Sequence, residues 1–204
     1  MKIYGDMISP YVRMCFVTAH EAGIGGDVSL VATGVTVATA NADLVALSPI
    51  GQIPVLVTQA DDAVHDSRVI IDYLCDIAGK EDLLARRGLV RTRVLTLQAV
   101  GHGIADAAVG YRNEVAQRPP ELHWHAWLER MKLRVVTALD TLEGRWQPEL
   151  AKVTVGSITV AVVLSYLDYR FPDWTWRRSR PQLGRFHEAF SSRDSMQQTA
   201  LPAA

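Results

Sequence analysis

Residues 9 to 12 read Ser9-Pro10-Tyr11-Val12, where a short strand, Lys2 to Tyr4, should hand over to a helix. A disulfide-exchange site at such a helix start needs two cysteines, one to attack as thiolate and one to resolve. Both sulfurs are absent here. A hydroxyl in the first position cannot carry electrons, but it can donate a hydrogen bond to a thiolate brought in by a ligand. Serine before proline is also a common helix-cap pairing. Both readings use one geometry, because a helix N-terminus offers free N–H groups and partial positive charge to an anion.

Two further segments carry polar groups at places where backbone is exposed to ligands. In Gly51-Gln52-Ile53-Pro54-Val55-Leu56 the proline opens what reads as the third strand. Proline there gives no N–H to a ladder and tolerates a cis bond, which turns the Ile53 backbone outward to pair with a peptide-like ligand. An ordinary trans proline at an edge strand would look the same. In Asp66-Ser67-Arg68-Val69-Ile70 the polar pair sits at a helix start and reads first as a cap. It also suits an amino-acid end: Ser67 and the helix N–H groups for a carboxylate, Asp66 for an ammonium.

The elements that would position these groups alternate in type up to about Gly79. Strands are expected at Lys2 to Tyr4, Val28 to Val31, Val55 to Thr58 and Ala63 to His65, and helices at Pro10 to Ala22, Ala40 to Leu47 and Ser67 to Ile77. That order, βαβα then ββα, is the thioredoxin arrangement. After a linker at Ala78 to Leu84 the strand signals stop, and apolar residues recur at spacings of three and four. Helices are expected near Arg86 to Glu114, Glu121 to Leu142, Val155 to Tyr169 and Gln182 to Ser192. The predicted architecture is an α/β thioredoxin-like domain over residues 1–79 and an all-α domain over residues 85–204.

Bulk properties narrow the function classes. The chain has 204 residues, 49% hydrophobic and 21% charged, which is ordinary for a globular protein. A net charge of −1 gives no reason to expect nucleic acid or an anionic membrane as a partner. Residues 1–80 hold four Lys/Arg against nine Asp/Glu, a net −5, leaving 17 against 13 and +4 for the rest. Cys15 and Cys75 show neither disulfide-scaffold nor zinc spacing, so no metal is expected and a reducing cytoplasm fits. Cys15 is expected in the core. The opening residues lack the basic-then-apolar run of a secretion signal. Val153 to Leu167 is the most apolar stretch, read as a buried helix rather than a membrane span.

Taken together, four motifs spread over nearly the whole chain resemble the glutathione S-transferase family, in particular its bacterial serine-type members. They are Ser9-Pro10-Tyr11-Val12-Arg13, Ser48-Pro49-Ile50-Gly51-Gln52-Ile53-Pro54-Val55-Leu56, Asp66-Ser67-Arg68-Val69-Ile70 and Tyr166-Leu167-Asp168-Tyr169-Arg170. The resemblance implies the glutathione S-transferase fold, a homodimer, and glutathione as co-substrate with no other cofactor. It implies that Ser9 holds the glutathione thiolate and that Ile53 pairs with the cysteinyl backbone beside a cis Pro54. Asp66 and Ser67 would hold the γ-glutamyl group, with Gln52 as a further contact. The implied activity is conjugation of glutathione to small hydrophobic electrophiles, a detoxification chemistry. The alternatives are a noncatalytic binding or regulatory module on the same scaffold, or a specialised glutathione-dependent isomerase or dehalogenase.

Several residues depart from the family pattern or stand apart from it. The box Thr154-Val155-Gly156-Ser157 ends in serine where the family usually has aspartate. Serine is expected to reach back poorly, so Ser157→Asp should stabilise by roughly 0.5 to 2 kcal/mol. Gly101-His102-Gly103 interrupts the first long helix of the second half, which suggests a close helix approach or a kink. His102 and Tyr111 are candidate contacts for the second substrate, expected between Ser9 and the middle of that helix. His123 and His125 fall two apart on an expected helix and so make no metal pair. The five tryptophans are expected to pack in the helical half, some lining a substrate pocket.

Overall fold

The computed structural model describes residues 1–202. It forms two compact units: Met1–Gly88 joined by the chain from Arg193 onward, and Leu89–Ser192.

The first unit is built on a four-stranded mixed sheet in the order β2-β1-β3-β4. Its strands are β1 (Lys2–Gly5), β2 (Ser29–Ala32), β3 (Val55–Val57) and β4 (Ala63–Val64). β1 runs parallel to β2, which requires a crossover, and helix α1 (Pro10–Glu21) supplies it. β3 is antiparallel to β1, with Tyr4 opposite Val55, and β4 is antiparallel to β3, with Leu56 opposite Val64. A short helix α2 (Ala42–Leu47) is capped by Asn41, whose side chain accepts from the Leu44 N–H. Helix α3 (Ser67–Ile77) packs against α1. Ile3, Val12, Met14, Cys15, Leu56, Ile70, Ile71 and Leu74 are fully buried and form the core that fixes both helix starts relative to the sheet.

The second unit is all-helical. It contains α4 (Gly88–Gln117), α5 (His125–Arg145), α6 (Gln147–Leu150), α7 (Val155–Arg170) and α8 (Pro181–Ser191). α7 has no charged residue from Val155 to Leu164 and is buried throughout that stretch, as a central helix must be. Helix α4 continues through Gly101 and Gly103 without a break. A Cβ on Gly101 would meet the Thr159 side chain at 2.6 Å, and one on Gly156 would meet the Val94 carbonyl oxygen at 2.8 Å. The close approach of α4 and α7 therefore accounts for Gly101 and Gly156. Gly103 has nothing within 4 Å of such a Cβ, so it serves no close contact.

The sheet and the helical second half agree with expectation, while the ends of elements differ for local reasons. α5 starts at His125 rather than near Glu121, because Pro119-Pro120 forces a separate 3-10 turn at Pro120–Leu122. His123 therefore lies outside the helix, its ring 6.3 Å from that of His125. Among the described residues no group of three or more His, Cys, Asp and Glu is placed to hold a metal. No helix among them is long and apolar enough to cross a membrane. Trp146 and Trp176 are buried as expected, but Trp124 is 67% exposed.

The start of α7 corrects the expectation for Ser157. Its hydroxyl oxygen accepts the Thr154 N–H at 2.9 Å, and the Thr154 hydroxyl accepts the Ser157 N–H at 3.4 Å, so the capping box is closed. Ser157 also donates to the Lys152 carbonyl at 2.6 Å, a bond no carboxylate could make. A further element went unforeseen. Helix α9 (Asp194–Gln198) lies on α1, where the buried Arg13 donates to the Thr199 and Met196 carbonyls at 2.8 and 3.2 Å. At the other end of α1, Glu21 accepts two hydrogen bonds from Arg193 and one from Ser195.

Candidate functional site

The sheet register brings the three expected segments of the first unit to one edge. Tyr4 lies opposite Val55 and Leu56 opposite Val64, so the register continued one step past the first pair and two past the second brings Gly5, Pro54 and Asp66 to the same end of their strands. Ser9 follows Gly5 by four residues and Ser67 opens α3. α1 and α3 are tied together near these starts, because Cys15 Sγ donates to the Ser67 carbonyl at 3.8 Å.

Ser9 stands at the N-cap of α1 in extended conformation, with φ −63° and ψ 122°. Its backbone is fully used: the N–H donates to the Asp6 carbonyl at 2.9 Å and the carbonyl accepts the Arg13 N–H at 3.0 Å. Its side chain makes no capping bond, unlike Asn41, Asp66 and Thr154 at their helices. The hydroxyl is thus left for something else at the positive end of a twelve-residue helix with no acid in its first turn.

The Ile53–Pro54 bond is cis, and Ile53 finds no backbone hydrogen-bond partner among the described residues. Gln52 beside it is exposed, and Gly51 turns the chain at a φ of +59°, the left-handed region that glycine enters without strain. Asp66 does cap α3: it accepts the Arg68 N–H at 2.9 Å and the Arg68 guanidinium at 3.1 Å. Both partners are almost half exposed, so this ion pair is weak. Ser67 is 3% exposed. Cys15, one turn and a half beyond Ser9, is fully buried; burial pushes its thiol up, and the Asp66 charge adds to that.

The two residues singled out in the helical half lie in the second unit. His102 has no exposed surface, and its Nδ1 faces the Gln98 carbonyl at 3.0 Å, one turn back on α4. Such a side chain meets a ligand only if its neighbours move. Tyr111 is half-buried in an aromatic cluster, edge-on to Phe171 at 5.7 Å and to Trp174 at 5.1 Å, while those two rings stack at 4.1 Å. His65, next to Asp66 in the chain, carries no motif signal, yet its buried Nδ1 makes no hydrogen bond.

Comparison with known proteins agrees with this fold. The family model for the glutathione S-transferase N-terminal domain matches residues 8–77, and that for the C-terminal domain matches residues 126–189. The uncharacterized GST-like protein YibF of Escherichia coli strain K12 is 30% identical over the full length of both chains. This chain belongs to the glutathione S-transferase family.

Among solved structures, a glutathione transferase family member from Pseudomonas fluorescens Pf-5 with bound glutathione is 39% identical and covers 99% of both chains at a TM-score of 0.96. A second structure from that organism, 38% identical over all of both chains with a TM-score of 0.91, holds S-(propanoic acid)-glutathione. A glutathione S-transferase from Methylobacillus flagellatus KT with glutathione bound is 28% identical, covers 98% of both chains and has a TM-score of 0.84.

Proposed function

We propose that the chain is a glutathione transferase that activates the glutathione thiol at Ser9 and joins it to small electrophiles. The observation that carries this is the Ser9 hydroxyl, free of capping duty at a helix N-terminus that favours an anion. On this reading Ser9 donates to the thiolate sulfur, and the Ile53 backbone beside cis Pro54 pairs with the cysteinyl residue. Asp66 takes the γ-glutamyl ammonium, the Ser67 hydroxyl and the α3 N-terminus take its carboxylate, and exposed Gln52 adds a contact. The thiolate then attacks an electrophilic carbon: a carbon–sulfur bond forms while a leaving group departs with its electron pair, or a double bond gives up its π electrons and gains a proton. A lowered thiol pKa at this site raises the thiolate fraction near neutral pH. The glutathione and the thioether conjugate held by the Pseudomonas fluorescens relatives support this reading. It includes Tyr111 as a second-substrate contact, a homodimer, and a cytoplasmic detoxifying role.

The test is titration with glutathione followed by turnover with a neutral aryl halide, in wild type and Ser9→Ala. Glutathione binding by both, with turnover reduced by about ten- to a hundredfold in Ser9→Ala, is the expected result for one charge-assisted hydrogen bond lost. An undiminished rate in Ser9→Ala would remove Ser9 from the mechanism. Binding without turnover across several electrophiles would favour a noncatalytic module.

A further inference from the structure

We propose that the turn between α4 and α5 is a divalent transition-metal site, in which His123 and His125 each give one imidazole nitrogen to a Cu²⁺ or Ni²⁺ ion.

On one continuous helix, residues two apart face different ways. The fold keeps these two off a common helix. Pro119-Pro120 leads into the 3-10 turn Pro120–Leu122, His123 follows in extended backbone at φ −65° and ψ 131°, and α5 begins only at His125. The rings consequently meet edge-on at 77°, with their centres 6.3 Å apart. A metal–imidazole bond is about 2.0 to 2.1 Å long, which puts a bound ion roughly 3 Å from each ring centre. The observed separation is about twice that, so one ion between the rings reaches a nitrogen of each.

The hydrogen bonds also suit a metal. His123 Nε2 lies 3.0 Å from the Arg118 carbonyl, and a carbonyl only accepts, so Nε2 carries the hydrogen and Nδ1 keeps its lone pair. A metal-bound histidine is held in this way, its second nitrogen donating to a carbonyl that fixes the tautomer and the ring. His125 is exposed and its side chain makes no hydrogen bond among the described residues, so its nitrogens are open to an ion.

The turn is held from both sides. Glu114 of α4 accepts the Trp124 N–H at 3.1 Å and the Arg118 guanidinium at 3.0 Å, tying the residues on either side of the prolines to one carboxylate. The same carboxylate sets negative charge against the positive start of α5, where a cation would otherwise be disfavoured. Little ordering is left for an ion to impose.

The donor set selects the ion. Imidazole nitrogens suit Cu²⁺, Ni²⁺ and Zn²⁺, whereas Mg²⁺ and Ca²⁺ take oxygen ligands. Cu²⁺ should bind tightest of the divalent series. With no group of three or more His, Cys, Asp and Glu placed to hold a metal among the described residues, water completes the coordination. Such an open site exchanges its ion instead of holding it as a structural metal.

The test is titration of the full chain, carrying no polyhistidine tag, with Cu²⁺ at about pH 7.5 in a non-chelating buffer. Binding is followed by calorimetry and by quenching of Trp124, which lies between the two histidines and is 67% exposed. One ion should bind per chain, with nitrogen coupling in its electron paramagnetic resonance spectrum. His123→Gln and His125→Gln should each weaken that binding by about tenfold or more. Acidification to about pH 5 should release the ion, because protons compete for the same nitrogens. Unchanged affinity in His125→Gln, or a bound ion without nitrogen coupling, would overturn the site. If His123→Gln loses its fold with the bond to Arg118, His125→Gln still decides, since that side chain makes no hydrogen bond to lose.

Discussion

At the scale of single residues, polar atoms decide what each position does. Ser157 keeps two partners in a buried helix start, the Thr154 N–H and the Lys152 carbonyl. Ser157→Ala strands both and should lower stability by about 1 to 3 kcal/mol in a denaturant titration. Ser157→Asp retains the acceptor but loses the donor to Lys152, so the gain expected from sequence should shrink toward zero. The serine was legible as a box member but its reach was not, because the Lys152 carbonyl comes close only after the chain turns into α7. Ser9 shows the opposite case. Its cap-like sequence context suggested a possible capping bond, yet the side chain makes none. Cys15 was read as core, and it is fully buried with its thiol pushed up. Iodoacetamide at pH 8 should leave Cys15 unmodified in the folded chain and modify it only after denaturation.

At the scale of elements, close approach and clamping set the design. A Cβ on Gly156 meets the Val94 backbone oxygen, so Gly156→Ala should destabilise by roughly 1 to 3 kcal/mol. Gly103 sits in the same helical layer with open space around it, so Gly103→Ala should instead stabilise by about 0.5 to 1 kcal/mol. Thermal melts of the pair check both signs. The clamp of α9 on α1 adds a pH dependence. Burial alone would raise the Glu21 carboxyl, but hydrogen bonds from Arg193 and Ser195 hold it below its usual 4.5. A depressed carboxyl contributes stability that is fully present above the unfolded value and is lost as pH falls through the lower folded one. Glu21→Gln should therefore flatten the loss of melting temperature below about pH 4.5; an unchanged acid slope would contradict the clamp. The long periodic helices and the βαβ opening were readable from spacing. α6 and α9 were not, since four- and five-residue helices are too short to show a period and exist because tertiary partners hold them.

At the scale of the whole molecule, the family was written in motifs spread along the chain, and the sheet register explains why distant motifs belong together: Gly5, Pro54 and Asp66 come at one end of adjacent strands. A ligand that binds only the folded chain stabilises it by about 2.7 kcal/mol at a hundred times its Kd, so glutathione should raise the melting temperature in a concentration-dependent way. The most direct test of the central claim is the ionisation of the bound thiol, followed by thiolate absorbance as pH is raised, in wild type and Ser9→Ala. The thiol should ionise at lower pH when bound to wild type than free in solution, and Ser9→Ala should raise its apparent pKa by about 1 to 2 units, the equivalent of one hydrogen bond to a charged group. The same pKa in both proteins, or no glutathione binding at all, would contradict it.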